Sequence, residues 1–310
     1  MTRGFTMSRL DATRAEKACL MIMCIIIMAL FTASCMPAQD PHQEVSAPGP
    51  AMKVICTTIP VYTFTAHVLI TRQNISLELL VPPKRDVDLS TYTLTPEDTE
   101  RLKAAKMLII NGLGMEGGLA DAALKANPSL IVVDSSKGVK SIQTKDGKLN
   151  PYVWLSPGCA VLQVRNIQDA LIAVDKAGEK EISRKSTEYI KTLEKLQKDF
   201  EDVCASRRVI AEGDFLAYLA RGCRMEIVQT LTTEETEKIR SSPEQILNEN
   251  NADALFLPSS GKVTSASPVY YFDTCTKGST YPDNYEKTMQ KNLDTMKKAF
   301  PDSSAEKKEK

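Results

Sequence analysis

Histidine is almost missing from this chain: among 310 residues only His42 and His67 occur. That shortage excludes a zinc site of three or four imidazoles and a His-rich metal-catching loop, since each needs more rings than the chain has. A surplus of one charge sign is missing too. Lys and Arg number 39 against 39 Asp and Glu, so the basic excess with which a general nucleic-acid binder displaces counterions is absent, and no nucleic-acid partner is expected. Enzyme signatures are equally scarce: there is no G-x-S-x-G elbow, no H-E-x-x-H and no G-x-G-x-x-G behind a strand. Ser-His or Cys-His catalysis would have to use His67, which stands in the mostly apolar run VYTFTAHVLI and reads as a satisfied or surface side chain. The segment Pro258-Ser259-Ser260-Gly261-Lys262 lacks the upstream glycine of a phosphate loop, with Phe256 in its place. No enzymatic activity is expected.

What remains is the composition of an ordinary globular protein, 43% hydrophobic and 25% charged, with room for about two domains of roughly 150 residues each. At the start, Arg14 and Lys17 precede an apolar run from Ala18 to Ala33. The run is short for a membrane span and has the length of a signal-peptide core. It closes on Leu30-Phe31-Thr32-Ala33-Ser34-Cys35, which resembles a bacterial lipobox, so cleavage before Cys35 and lipidation of its thiol are expected. The signal removes four basic residues and two acidic ones, leaving a slightly acidic body. Of eight cysteines, five follow Cys35: Cys56, Cys159, Cys204, Cys223 and Cys275. They are scattered, with no C-x-x-C pair, which argues against zinc-ribbon or thioredoxin chemistry and leaves any disulfide pairing open.

Residues 36–51 hold four prolines and no apolar periodicity, as a tether does; His42 lies there, solvated. Beyond them short apolar runs alternate with helical patterns. Strands are expected at Lys53–Cys56, Ser76–Val81, Met107–Asn111 and Leu130–Val133, with a capped helix at Pro96–Lys106. A second set lies at Val209–Ala211, Met225–Val228, Ala254–Leu257 and Val269–Phe272. Gly112 and Gly114 follow a strand, where a tight strand-to-helix turn is expected more than an anion cradle. Between the sets, Ile182, Ser186, Tyr189, Leu193, Leu196, Phe200 and Val203 step by four and three, the stripe of one amphipathic helix about 33 Å long. This order predicts two α/β lobes with mainly parallel sheets joined by one long rigid helix, and a cleft where strand C-termini face each other. The expected boundaries are a signal at 1–34, a lipid-anchored tether at 35–51, an N-terminal lobe at 52–175, the linking helix at 176–204, a C-terminal lobe at 205–300 and a charged tail at 301–310.

The blocks CTTIPVY at 56–62, VPPKRDVDLSTYTLTPED at 81–98, KMLIINGLGMEGGL at 106–119, NPYVWLSP at 150–157, AEGDFLAYLARGC at 211–223 and TYPDNYEKTMQKNL at 280–293 resemble, in order, the manganese and zinc solute-binding lipoproteins of bacterial ABC importers. The resemblance runs over 52–300. It implies a helix-bridged two-lobe fold, an extracytoplasmic location on a membrane, an ABC permease partner, and a divalent cation (Mn or Zn) held between the lobes on four ligands. Two of the family's ligands are histidines, and here Ser90 stands for the first and Tyr152 for the second. The third is a Glu or a His, matched by Glu212, and the fourth an Asp, matched by Asp273.

A donor set of Glu212, Asp273, Tyr152 and Ser90 is all oxygen, which suits hard ions more than Zn²⁺. A phenol, unlike imidazole, must lose a proton from near pKa 10, at a cost of about 4 kcal/mol at pH 7. Asp86 and Asp88 are near enough in sequence to add a carboxylate. The alternative is a paralogue that kept the fold, lost metal transport and binds another ligand or acts in surface interaction or adhesion.

Overall fold

The computed structural model describes residues 51–82, 87–239, 242–259, 268–277, 280 and 283–301. The expected signal, Cys35, nearly all of the tether, Asp86, the 260–262 part of the PSSGK segment and the tail after 301 lie outside them. Residues 48–310 belong to one compact unit.

The first sheet contains β1 (Met52–Cys56), β2 (Ile75–Leu79), β3 (Met107–Ile110) and β4 (Ile131–Asp134), ordered β2-β1-β3-β4 with every pair parallel. The second contains β5 (Arg208–Glu212), β6 (Glu226–Leu231), β7 (Ala254–Ser259) and β8 (Val269–Asp273), in the equivalent order β6-β5-β7-β8 and again parallel. Central strands read as unbroken apolar runs, Val54-Ile55-Cys56 and Met107-Leu108-Ile109, and all six side chains are fully buried. Helices on both faces require that pattern.

Among the described residues the helices are α1 (Ile59–Leu69), α2 (Pro96–Lys103), α3 (Leu119–Ala126), α4 (Pro157–Val174), α5 (Glu179–Cys204), α6 (Ala217–Cys223), α7 (Thr233–Ile239), α8 (Pro243–Asn250) and α9 (Asn284–Ala299). Local chemistry starts several of them. Thr95 and Asp98 form a reciprocal capping box ahead of α2, with Pro96 in its first turn. Ser156 caps α4 and Thr58 caps α1.

Helix α5 joins the two sheets. It is 26 residues long, and all seven residues of the predicted stripe are buried. Its apolar side packs on α1, α4, α6 and α9, so one continuous core runs from Val54 and Phe64 through Leu193 and Phe200 to Phe256 and Phe272. The lobes therefore share a core rather than hang on flexible strands.

The stretch 142–154 crosses between the lobes. Trp154, fully buried, donates its indole N–H to the Thr274 carbonyl at 2.9 Å, and the Tyr285 hydroxyl donates to the Trp154 carbonyl at 2.6 Å. Asn150 Nδ2 donates to the Asp214 carbonyl at 2.7 Å, and Lys145 Nζ to that of Thr230 at 2.6 Å.

Candidate metal centre

Of the four predicted site residues, Tyr152 and Glu212 lie together where the end of β5 meets the 142–154 crossing, and neither Ser90 nor Asp273 lines the cavity between them. Glu212 is the last residue of β5 and Asp273 the last of β8. Glu212 and Tyr152 line one open cavity of about 520 Å³, together with Lys145, Asp214, Thr232 and Thr233. The only hydrogen bond that Glu212 is given among these groups comes from the Thr233 hydroxyl at a long 3.3 Å. Its carboxylate faces the cavity with most of its accepting capacity uncommitted.

Asp273 is held more firmly. Its backbone N–H donates to Asn292 Oδ1 at 2.8 Å and its carbonyl accepts from Asn292 Nδ2 at 2.8 Å, while Oδ1 accepts from the Cys275 N–H at 2.9 Å. Burial pushes its carboxyl above the ordinary aspartate range, against the pull of the Cys275 N–H and of Lys291.

Tyr152 is positioned by its backbone N–H, which donates to Asn150 Oδ1 at 2.9 Å, and by its ring, 5.4 Å from that of Trp154. Burial first, and the charge of Asp88 second, push its phenol up from the usual value. The hydroxyl thus stays protonated at neutral pH, making Tyr152 a neutral oxygen donor until a cation displaces the proton.

Ser90 sits in an exposed turn. Its hydroxyl donates to Asp88 Oδ1 at 2.7 Å and its N–H to the same oxygen at 2.9 Å, which holds the Asp88 carboxyl below the usual range. The anion of this turn is therefore Asp88, and the Ser90 hydroxyl is already committed to it. Gly117 makes room for the turn: a Cβ there would lie 2.1 Å from the Ser90 carbonyl oxygen, and φ is +49°.

The structure brings Tyr152 and Glu212 to one cavity and puts the charge of Asp88 within reach of Tyr152. Asp273 ends β8 beside Ser259, its β7 partner in register. Among the described residues no three His, Cys, Asp or Glu side chains are grouped to hold a metal.

Several residues here escaped the sequence reading. Lys145 brings a positive charge to the cavity rim. Trp154 ties the crossing to the second lobe. Glu116 takes hydrogen bonds from the Thr57 hydroxyl at 2.7 Å and from the N–H groups of Asn111 and Gly112 at 2.6 and 3.0 Å. The glycine loop is a tight turn closed around the chain's own Glu116 carboxyl, whose pKa burial raises against these hydrogen bonds. The sequence signal was an acid four residues after the loop's first glycine.

His67 is far from a ligand role. Its ring stacks on Tyr189 at 3.9 Å and its Nε2 lies 2.8 Å from Glu286 Oε1, without the alignment of a hydrogen bond. It pairs α1 of the first lobe with α9 of the second.

Two parallel α/β lobes bridged by one long helix, with the Glu212 carboxylate at a strand end on an open cavity, define a helix-bridged solute-binding fold. The profile of the family ZnuA, zinc-uptake complex component A, periplasmic, matches residues 54–299, and the chain belongs to this family. It is 27% identical over 284 residues to the manganese ABC transporter substrate-binding lipoprotein PsaA of Streptococcus anginosus, covering 80% of this chain and 89% of that protein. Identity to the iron ABC transporter substrate-binding lipoprotein MtsA of Streptococcus pyogenes serotype M1 is 24% over 308 residues, covering 88% and 97%. The fold is that of the solute-binding protein FpvC of Pseudomonas aeruginosa solved with Ni²⁺, at TM-score 0.67 and 20% identity over 82% of this chain and 98% of that one.

Proposed function

We propose that this protein captures a divalent transition-metal ion between its lobes and delivers it to the permease of an ABC importer. Glu212 and Asp273 supply the anionic ligands; Tyr152 and Ser90, standing where the family has histidines, supply neutral oxygens, with Asp88 adding charge beside Ser90. The observation that carries this reading is the placement of Glu212, nearly unengaged, in one cavity with Tyr152 in a chain of this family. A carboxylate at a strand end that the fold does not use is available to a ligand. The oxygen-only set favours Mn²⁺ over Zn²⁺.

The family's role is binding and transport, not catalysis. The chain reads further as a lipoprotein: a signal at 1–34, Cys35 acylated, a tether at 35–51, lobes at 52–175 and 205–300 about the 176–204 helix, and a tail at 301–310, on the extracytoplasmic side of a membrane. The relatives are named as lipoproteins, which supports that placement.

Thermal unfolding tests the capture. Added Mn²⁺ or Zn²⁺ is expected to raise Tm by mass action, with about 4 kcal/mol of stabilisation at a thousandfold excess over Kd, and Glu212→Ala combined with Asp273→Ala to remove the shift. No shift with any divalent ion at millimolar concentration overturns the reading.

A further inference from the structure

Two of the buried thiols lie where helix α5 ends against the second lobe. Cys204 is the last residue of α5 and Cys223 the last of α6, and both are fully buried. Hydrogen bonds hold the two helix ends together on either side of them. On the N-terminal side Gln197 Nε2 donates to the Gly222 carbonyl at 3.0 Å; on the C-terminal side the Ser206 N–H donates to the Arg224 carbonyl at 2.9 Å, and the Glu226 N–H to that of Arg207 at 2.8 Å. Both chains turn away through left-handed residues, Ser206 at φ +65° and Arg224 at φ +58°. The backbones around 204 and 223 are thus fixed side by side, with both thiols buried and free and the Cys223 thiol donating to the Ala220 carbonyl at 3.9 Å. Of the other described cysteines, Cys56 donates to Thr65 Oγ1 at 3.4 Å and Cys275 to the Asp273 carbonyl at 3.8 Å, while Cys159 lies half-buried in the first turn of α4.

We propose that Cys204 and Cys223 are joined by a disulfide in the mature protein, formed as the second lobe folds outside the cytoplasm. The inference rests on the extracytoplasmic placement proposed above, because such bonds persist in oxidising compartments. The oxidant is a protein or small-molecule disulfide. One thiolate attacks it, giving a mixed disulfide and one free thiol. The second thiolate then displaces the oxidant's other sulfur, so the Sγ–Sγ bond forms, the oxidant's bond is broken, and two electrons and two protons end on its thiols. Exchange belongs to the folding chain. In the folded lobe the neighbouring Cys223 thiol, and then burial, push the Cys204 thiol far above its ordinary range, leaving no thiolate to react.

The bond has a mechanical consequence. It fastens the end of the bridging helix to α6, making helix and second lobe one body. Movement between the lobes then falls to the other side of the bridge, where α1 and α4 of the first lobe rest on α5.

The test is alkylation with mass mapping on the full chain extracted from membranes without reductant. Cys56, Cys159 and Cys275 are expected to be labelled in denaturant, and Cys204 and Cys223 only after reduction, with a disulfide-linked 204–223 peptide. Reduction should lower Tm by about 5–10 °C for a closed loop of about 20 residues, while the cation-induced shift survives. The same protein, reduced, unfolded and refolded with oxidised glutathione, forms the second arm. Labelling of all five cysteines in the extracted protein overturns the proposal. If refolding then yields the bond, the compartment is at fault and the extracytoplasmic placement falls with it; if it does not, the geometry is at fault and the placement stands.

Discussion

The two lobes are built alike and use their acids differently. Each has four parallel strands in the equivalent order, and each ends its last strand with an aspartate whose Oδ1 accepts the N–H two residues on: Asp134 from Ser136 at 2.8 Å, and Asp273 from Cys275 at 2.9 Å. The glutamates diverge. Glu116 of the first lobe is 3% exposed and takes three hydrogen bonds that bind the ends of β1 and β3 together. Glu212 of the second takes one weak bond and opens on the cavity. A carboxyl held by two N–H groups and a hydroxyl is part of the scaffold; one left with free lone pairs is available to a ligand. In the proposed site the first lobe would accordingly offer a cation hydroxyls with the Asp88 charge beside Ser90, and the second carboxylates.

The largest effect expected from this contrast is on stability. Glu116→Ala strands two buried N–H groups and a hydroxyl and is expected to cost about 3 kcal/mol or more, whereas Glu212→Ala stays within about 0.5 kcal/mol. Urea unfolding of both variants without cation measures the difference, and equal costs break the comparison. Next comes Gly117→Ala, whose Cβ meets the Ser90 carbonyl in a left-handed backbone. About 2 kcal/mol of destabilisation is expected, together with a smaller cation-induced Tm shift, although no ligand is touched. A full shift would show that the Ser90 turn is dispensable. Tyr152→His sharpens the contrast by returning imidazole to the first lobe. Since a neutral ring binds without losing a proton, affinity for Zn²⁺ is expected to rise about tenfold, or about 1.4 kcal/mol, readable by calorimetry; unchanged affinity would remove Tyr152 from the site.

The smallest effect lies in the pH profile. Because burial raises the Asp273 pKa in the folded state, its neutral form is favoured by folding. That contribution to the stability of the cation-free protein is complete below the unfolded value and is lost as pH rises through the folded one. Cation binding runs the other way, weakening as pH falls through the same raised value, because proton and metal compete for the carboxylate. Asp273→Asn is expected to flatten the stability profile; a slope that persists assigns the titration to another group.

Much of the fold was legible. All eight strands form where apolar runs were bounded by turn signals, because parallel strands covered on both faces need continuous apolar sequence. The stripe from Ile182 to Val203 gave the bridge, since 3.6 residues per turn leaves one face to bury. The candidate site was proposed from residue types at block positions, Glu212 and Asp273 among them, but the hydrogen bonding of those residues was not legible. That Glu116 fills the glycine loop, that Asp88 holds the Ser90 hydroxyl, and that Lys145 reaches Thr230 each depend on groups meeting in space. His67 shows the limit from the other side: a lone histidine in an apolar helix turned out to pair the two lobes.

By itself the sequence determined the alternation of strands and helices, the bridging helix and the scarcity of imidazole, all of which follow from periodicity and composition along the chain. Only the tertiary structure decided which acid is scaffold and which is free, and which two helix ends bring cysteines side by side, because both depend on hydrogen bonds between residues brought together by packing, which no local pattern encodes.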